Sequence, residues 1–171
     1  GGSTLAAAAG GAEVVHVDAS KGVVDWAREN AALSGLAERP VRWLVDDVVK
    51  FVDRELRRGR RYDAVVLDPP SYGRGTRGEV WKIEEHLADL LARLRSLLSD
   101  RPLLVAFSCH SPGFTPRVVE RVLADHFADL FERRESGEMT IVQGGSDAPF
   151  PTGVYGRLWT CPGLSTTRNT S

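Results

Sequence analysis

Short unbroken apolar runs alternate along this chain with longer segments in which apolar residues recur at helical spacing. Leu5 to Ala9 is Ala-rich and favours helix, and Gly10-Gly11 stops it. Glu13 to Asp18 is an apolar run ending in an acid, the pattern of a buried parallel strand. Ser20 is placed to cap a helix from Lys21 to Leu33, which Gly35 ends. Pro40 precedes a strand from Val41 to Val45; Asp47 or its neighbour then opens a helix that runs to the region of Arg58, and Gly59 closes it. Tyr62 to Leu67 reads as the next strand, ended by Asp68-Pro69-Pro70 because neither proline can donate to a ladder. A glycine-rich loop from Ser71 to Gly78 leads into a long amphipathic helix, Glu79 to Leu98, with Leu87, Leu90, Leu91, Leu94, Leu97 and Leu98 on one stripe. Leu103 to Ser108 is a strand, and Thr115-Pro116 caps and opens a helix reaching the region of Leu130. Glu138 to Gln143 and Val154 to Thr160 close the chain as two strands, joined by a Gly-, Pro- and Asp-rich hairpin loop.

Strands alternating with helices predict an α/β fold: a mostly parallel Rossmann-like sheet, helices on both faces, and a closing antiparallel hairpin. The 171 residues suit one domain. Residues 1–162 are expected to form it, with 163–171 as a flexible tail. There is no internal repeat and no linker-like stretch. A hydrophobic content of 42% and a charged content of 26% are those of a globular protein. No apolar run is long enough to span a membrane as a helix, and the two cysteines, Cys109 and Cys161, make no disulfide framework, so a cytoplasmic setting is expected. A net charge of −1 argues against a strongly basic nucleic-acid binder, but not against an enzyme with a local basic patch. No His/Cys spacing suits a metal.

In open α/β sheets ligands sit beyond the carboxyl ends of the strands. Acids stand at three such ends: Asp18, Asp46-Asp47 and Asp68. A carboxylate at the Asp18 position suits a ribose diol, and one at the next strand end suits an adenine amino group. The competing reading is that these acids cap the helices that follow. The glycine fingerprint of dinucleotide binders is not matched by Gly1-Gly2-Ser3-Thr4-Leu5. Asp68-Pro69-Pro70-Ser71-Tyr72 is the most specific feature, a carboxylate beside a rigid corner.

The residues Gly1-Gly2-Ser3, Val15 to Ser20, Ala27-Arg28-Glu29-Asn30, Asp46-Asp47-Val48, Tyr62-Asp63 and Asp68-Pro69-Pro70 follow in the order found in class I S-adenosylmethionine-dependent methyltransferases. Among these, the chain resembles the large-subunit ribosomal RNA methyltransferases of the RlmI type and their relatives, over Gly1 to Trp159. The resemblance implies S-adenosylmethionine as cofactor. It places Gly1, Gly2, Asp18, Ala19, Ser20, Asp46, Asp47 and Asp68 around it, with Asp18 on the ribose and Asp47 on the adenine. It implies Asp68, Pro69 and Pro70 at the methyl-transfer site. It also implies that the family's first strand lies before Gly1, which leaves open sheet edges and self-association as expectations.

Cys109, in Phe107-Ser108-Cys109-His110-Ser111, resembles the nucleophile of cytosine carbon-5 methyltransferases, where a thiolate adds to carbon-6 so that carbon-5 can attack the methyl group. The alternative is a small buried residue at a strand end. Ser71, Tyr72, Arg74, Arg77 and Lys82 follow the catalytic strand end and are candidates for contacts to RNA, ribosomal RNA above all. The run Arg54, Arg57, Arg58, Arg60, Arg61 reads better as a solvated helix end. Methylation of a small molecule or protein, and a non-methylating Rossmann domain, are the competing functions.

Overall fold

The computed structural model describes residues 1–74, 80–142, 144 and 148–161. The chain forms two compact units, Gly1–Gly59 and Arg60–Ser171.

The first unit is α1 (Gly2–Ala9), β1 (Val14–Asp18), α2 (Lys21–Leu33), β2 (Val41–Val45) and α3 (Val48–Arg57). β1 and β2 pair in parallel, Val14 opposite Val41 through Asp18 opposite Val45, so both acid-bearing ends lie at one end of the pair. The caps are those the sequence offers. Ser20 Oγ accepts from the Val23 amide at 3.4 Å, and Asp47 Oδ1 from the Lys50 amide at 2.9 Å. Gly35 and Gly59 follow helices α2 and α3 with φ of 70° and 67°, a left-handed turn that L side chains resist. Ala8, Val24, Ala27, Ala31, Phe51 and Val52 are buried. Glu55 is buried among them and paired with Arg58 at 3.1 Å, which offsets the cost of desolvating its carboxylate.

The second unit holds β3 (Ala64–Leu67), β4 (Tyr72–Arg74), β5 (Val80–Lys82), α4 (Ile83–Leu97), β6 (Leu104–Cys109), α5 (Pro116–Phe127), β7 (Arg133–Val142) and β8 (Pro149–Trp159). Its sheet runs β3-β6-β8-β7, with β3 and β6 parallel and the β7–β8 hairpin antiparallel. The leucine stripe of α4 is buried at Leu87, Leu90, Leu91, Leu94 and Leu97, and Leu98 just beyond it is buried too. α5 sits directly on β8: a side chain at Gly156 would come within 2.6 Å of Val119 and 2.7 Å of Leu123.

Several sequence expectations shift. The segment expected as a loop from Ser71 contains β4, paired antiparallel with β5, so α4 starts at Ile83 and not at Glu79. β7 and β8 are longer than expected, paired from Arg133 opposite Trp159 to Val142 opposite Pro149, and Pro149 and Pro151 lie inside β8 toward its tip. Tyr62 falls outside β3, though its amide donates to the Leu97 carbonyl at 3.0 Å. α5 stops at Phe127, short of Leu130. Arg77 and the tail at 163–171 lie outside the described residues.

Candidate active site

In the first unit Asp18 ends β1. Its Oδ1 accepts from the Ser20 amide at 2.7 Å, and its second oxygen takes no hydrogen bond among the described residues. A carboxylate with one oxygen fixed and one free suits a pair of donors such as a ribose diol. Gly1 approaches Ala27 closely, since a side chain there would lie 2.7 Å from the Ala27 Cβ. Ala19 and Ser20 are exposed beside Asp18. Asp46 is differently placed: Oδ1 accepts from the Asp47 amide at 2.9 Å and Oδ2 pairs with Arg54 at 2.6 Å. Both its oxygens are engaged internally, whereas Asp47 spends one on capping α3 and keeps the other. His16 lies in β1 with its Nδ1 2.8 Å from Thr4 Oγ1 and its ring tilted on Trp43, 5.1 Å between centroids. Its Nε2 is buried with no hydrogen-bond partner among the described residues, and burial of the ring holds its pKa below the ordinary value.

In the second unit the corner from Asp68 to Ser71 leaves β3 and is tied at several points. Ser108 Oγ donates to Asp68 Oδ1 at 2.7 Å. The indole N–H of Trp81 donates to the Pro70 carbonyl at 2.8 Å, and the Ile83 amide to the Ser71 carbonyl at 3.1 Å. Ser111 Oγ donates to Ser71 Oγ at 2.6 Å, and Ser111 is itself buried. Asp68 remains 65% exposed on this fixed corner. The Trp81 ring stacks on His86 at 5.6 Å. Tyr72 is half exposed and its hydroxyl accepts from Arg74 Nε at 2.8 Å. Lys82 pairs with Glu85 at 2.7 Å, which holds its pKa above the ordinary value. The helix-end arginines also find local partners: Arg54 on Asp46, Arg58 on Glu55, and Arg61 on the Arg60 carbonyl.

β6 separates its residues by face. Val105, Phe107 and Cys109 are buried on one side, and Ser108 meets Asp68 on the other. Cys109 has no solvent exposure, and its Sγ accepts from the Ser111 amide at 3.4 Å. His110 turns away from it, its Nδ1 2.6 Å from the Thr152 carbonyl and its Nε2 3.9 Å from Asp68. Cys161 is partly exposed and free.

The family described as S-adenosylmethionine-dependent methyltransferase matches residues 1–135. The chain belongs to that family. S-adenosylmethionine is the family's cofactor, and the methyltransferase fold is the one the sequence pattern predicts. The chain is 30% identical over 160 residues to ribosomal RNA large subunit methyltransferase I of Aeromonas salmonicida, covering 91% of this chain and 39% of that protein. It is 27% identical over 169 residues to the protein of the same name from Escherichia coli O139:H28, covering 94% and 41%. It thus spans about two fifths of the length of these relatives. A solved SAM-dependent methyltransferase from Agrobacterium tumefaciens is 38% identical with a TM-score of 0.86, covering 93% of this chain and 52% of that one. SMU.776, solved in complex with SAH, shares the fold at 19% identity and a TM-score of 0.68, covering 90% and 41%.

The sequence singled out Asp18 and the Asp68 corner, but not the residues that fix the corner. Trp81, Ser108 and Ser111 lie beyond the reach of local spacing from Asp68, and nothing in the sequence ties them to it. One signal was available for Trp81: Tyr72-Gly73-Arg74 and Val80-Trp81-Lys82 flank a short glycine-bearing sequence, the spacing of a hairpin. Among the described residues no cluster of His, Cys, Asp and Glu could hold a metal, and no helix is long and apolar enough to cross a membrane.

Proposed function

We propose that the protein transfers a methyl group from S-adenosylmethionine to a base in RNA, ribosomal RNA first. The observation that carries this is the Asp68 carboxylate: exposed, held by Ser108, and fixed on a corner that Trp81 and Ser111 clamp. Such a carboxylate orients a donor on the methyl acceptor at no reorganisation cost. Tyr72, Arg74 and Lys82 on the adjoining hairpin supply a ring and cations for a nucleotide chain, with Ser71 at its base and Arg77 in the connection between the strands. The relatives named as ribosomal RNA methyltransferases support the same substrate.

When bound, the cofactor supplies an electrophilic methyl group on a sulfonium. Asp18 would take its ribose, Asp47 its adenine amino group, and Gly1, Gly2, Ala19 and Ser20 the surrounding backbone contacts. Asp46 contributes by holding Arg54 and the start of α3. Pro69 and Pro70 keep Asp68 from swinging. We read residues 1–162 as one catalytic domain working in the cytoplasm. β1 pairs only with β2 and β3 only with β6 among the described residues, so each offers an open edge for self-association.

The observed burial of Cys109 favours direct transfer to a base nitrogen over a carbon-5 reaction through a cysteine adduct, since Sγ faces the core with Val105 and Phe107. The carbon-5 reading rests on the position of Cys109 at the carboxyl end of β6. The test is transfer of labelled methyl groups to ribosomal RNA and to an RNA-free extract. Label in RNA supports the proposal. Label only in small molecules or protein overturns it. Digestion of the RNA to nucleosides then separates a methylated nitrogen from 5-methylcytosine.

A further inference from the structure

We propose that His110 is the proton acceptor of the methyl-transfer step, a role that rests on the proposed function of the Asp68 corner. The Nδ1 of His110 lies 2.6 Å from the carbonyl oxygen of Thr152. A carbonyl only accepts, so Nδ1 carries the hydrogen. In the neutral ring the lone pair is therefore on Nε2. That nitrogen stands 3.9 Å from Asp68 Oδ1, and the His110 side chain is 56% exposed. The base and the orienting carboxylate are thus exposed side by side.

The arrangement is built into the backbone. Gly153 follows Thr152, and a side chain on it would come within 2.6 Å of the Cys109 carbonyl, 2.8 Å of His110 Nδ1 and 2.8 Å of Met139 Cε. Only a glycine lets β8 bring the Thr152 carbonyl to the ring. β6 and β8 are paired here, Cys109 opposite Val154, so the strands hold donor and acceptor in register. Asp68 faces the ring with its charge.

The chemistry balances without a further reactant. The acceptor nitrogen gives its lone pair to the methyl carbon as the carbon–sulfur bond breaks toward sulfur. The proton on that nitrogen passes to Nε2, leaving its bonding pair on the nitrogen, and the imidazolium returns the proton to water. The Asp68 charge lies beside the imidazolium as it forms.

Two measurements test this. The first needs no cofactor: nitrogen NMR of His110 in the whole protein at neutral pH. The Nδ1–H tautomer is expected; finding the hydrogen on Nε2 overturns the proposal. The second is methylation of ribosomal RNA by H110A with and without added imidazole. A loss of about 100-fold or more in turnover, with S-adenosylmethionine affinity unchanged and part of the rate restored by imidazole, supports the role. Unchanged turnover, or a loss that imidazole does not restore, overturns it. A wild-type protein that leaves RNA unlabelled overturns the proposed substrate instead, and the tautomer still decides the histidine.

Discussion

The indole N–H of Trp81 reaches the carbonyl oxygen of Pro70 over 2.8 Å, fastening the hairpin to the corner that carries Asp68. Trp81→Phe keeps an aromatic ring but deletes that donor. It is expected to lower stability by about 0.5–1.5 kcal/mol and to cut methyl transfer while leaving cofactor affinity intact. Urea unfolding and labelled transfer measure the two effects; an unaltered rate would show that the corner holds without the indole.

Asp18→Ala removes a carboxylate from the end of β1. We expect S-adenosylmethionine binding to weaken by about 1–3 kcal/mol, the cost of losing a charged acceptor. Calorimetric titration at constant salt reads it, and equal affinity would take Asp18 out of the site.

Cys109→Ala is expected to retain methyl transfer, because the thiol lies on the core side of β6. Loss of turnover with cofactor affinity retained would restore the adduct mechanism and identify carbon-5 as the target.

Burial holds the pKa of His16 below its ordinary 6.5, against the opposing pull of Asp18. The folded state therefore favours the neutral ring. Its contribution to stability is complete above about pH 6.5 and is lost as pH falls through the lower, folded value. The urea midpoint should drop between pH 7.5 and 5.5 more steeply in the wild type than in His16→Phe. Parallel pH profiles for the two proteins would contradict this.

Gly156→Ala would drive a methyl group into Val119 and Leu123 of α5. Overpacking of this kind costs about 1–3 kcal/mol, and a fall in Tm should report it. The same substitution at Gly22, which has open space around it, loses no contact and should leave Tm unchanged or higher.

Much of the fold was legible because local and global signals agree. Ser20 and Thr115 cap where the pattern places them, and β2 has the bounds that Pro40 and Asp46 suggest. The leucine stripe of α4 faces inward as its spacing requires. The site was legible only where one residue carries a signal by itself, as Asp18 and Asp68 do. What holds them was not. Ser111 reaches Ser71 across a separation of 40 residues and His110 reaches Thr152 across 42, contacts that strand pairing creates and no local spacing encodes. The β4–β5 hairpin was missed because glycine density outweighed the alternation beside it.

The order β3-β6-β8-β7 also sets a schedule. β6 is synthesised well before β8, yet one of its two edges stays open until residues 149–159 have left the ribosome. His110 cannot reach its working geometry from the nascent segments around it alone, because the Thr152 carbonyl arrives with the last described strand, whereas the partners of the Asp68 corner are all made before it. The histidine of this unit is thus placed late, through one of its least local contacts, and a chain stalled before β8 would expose β6 to other unpaired strands.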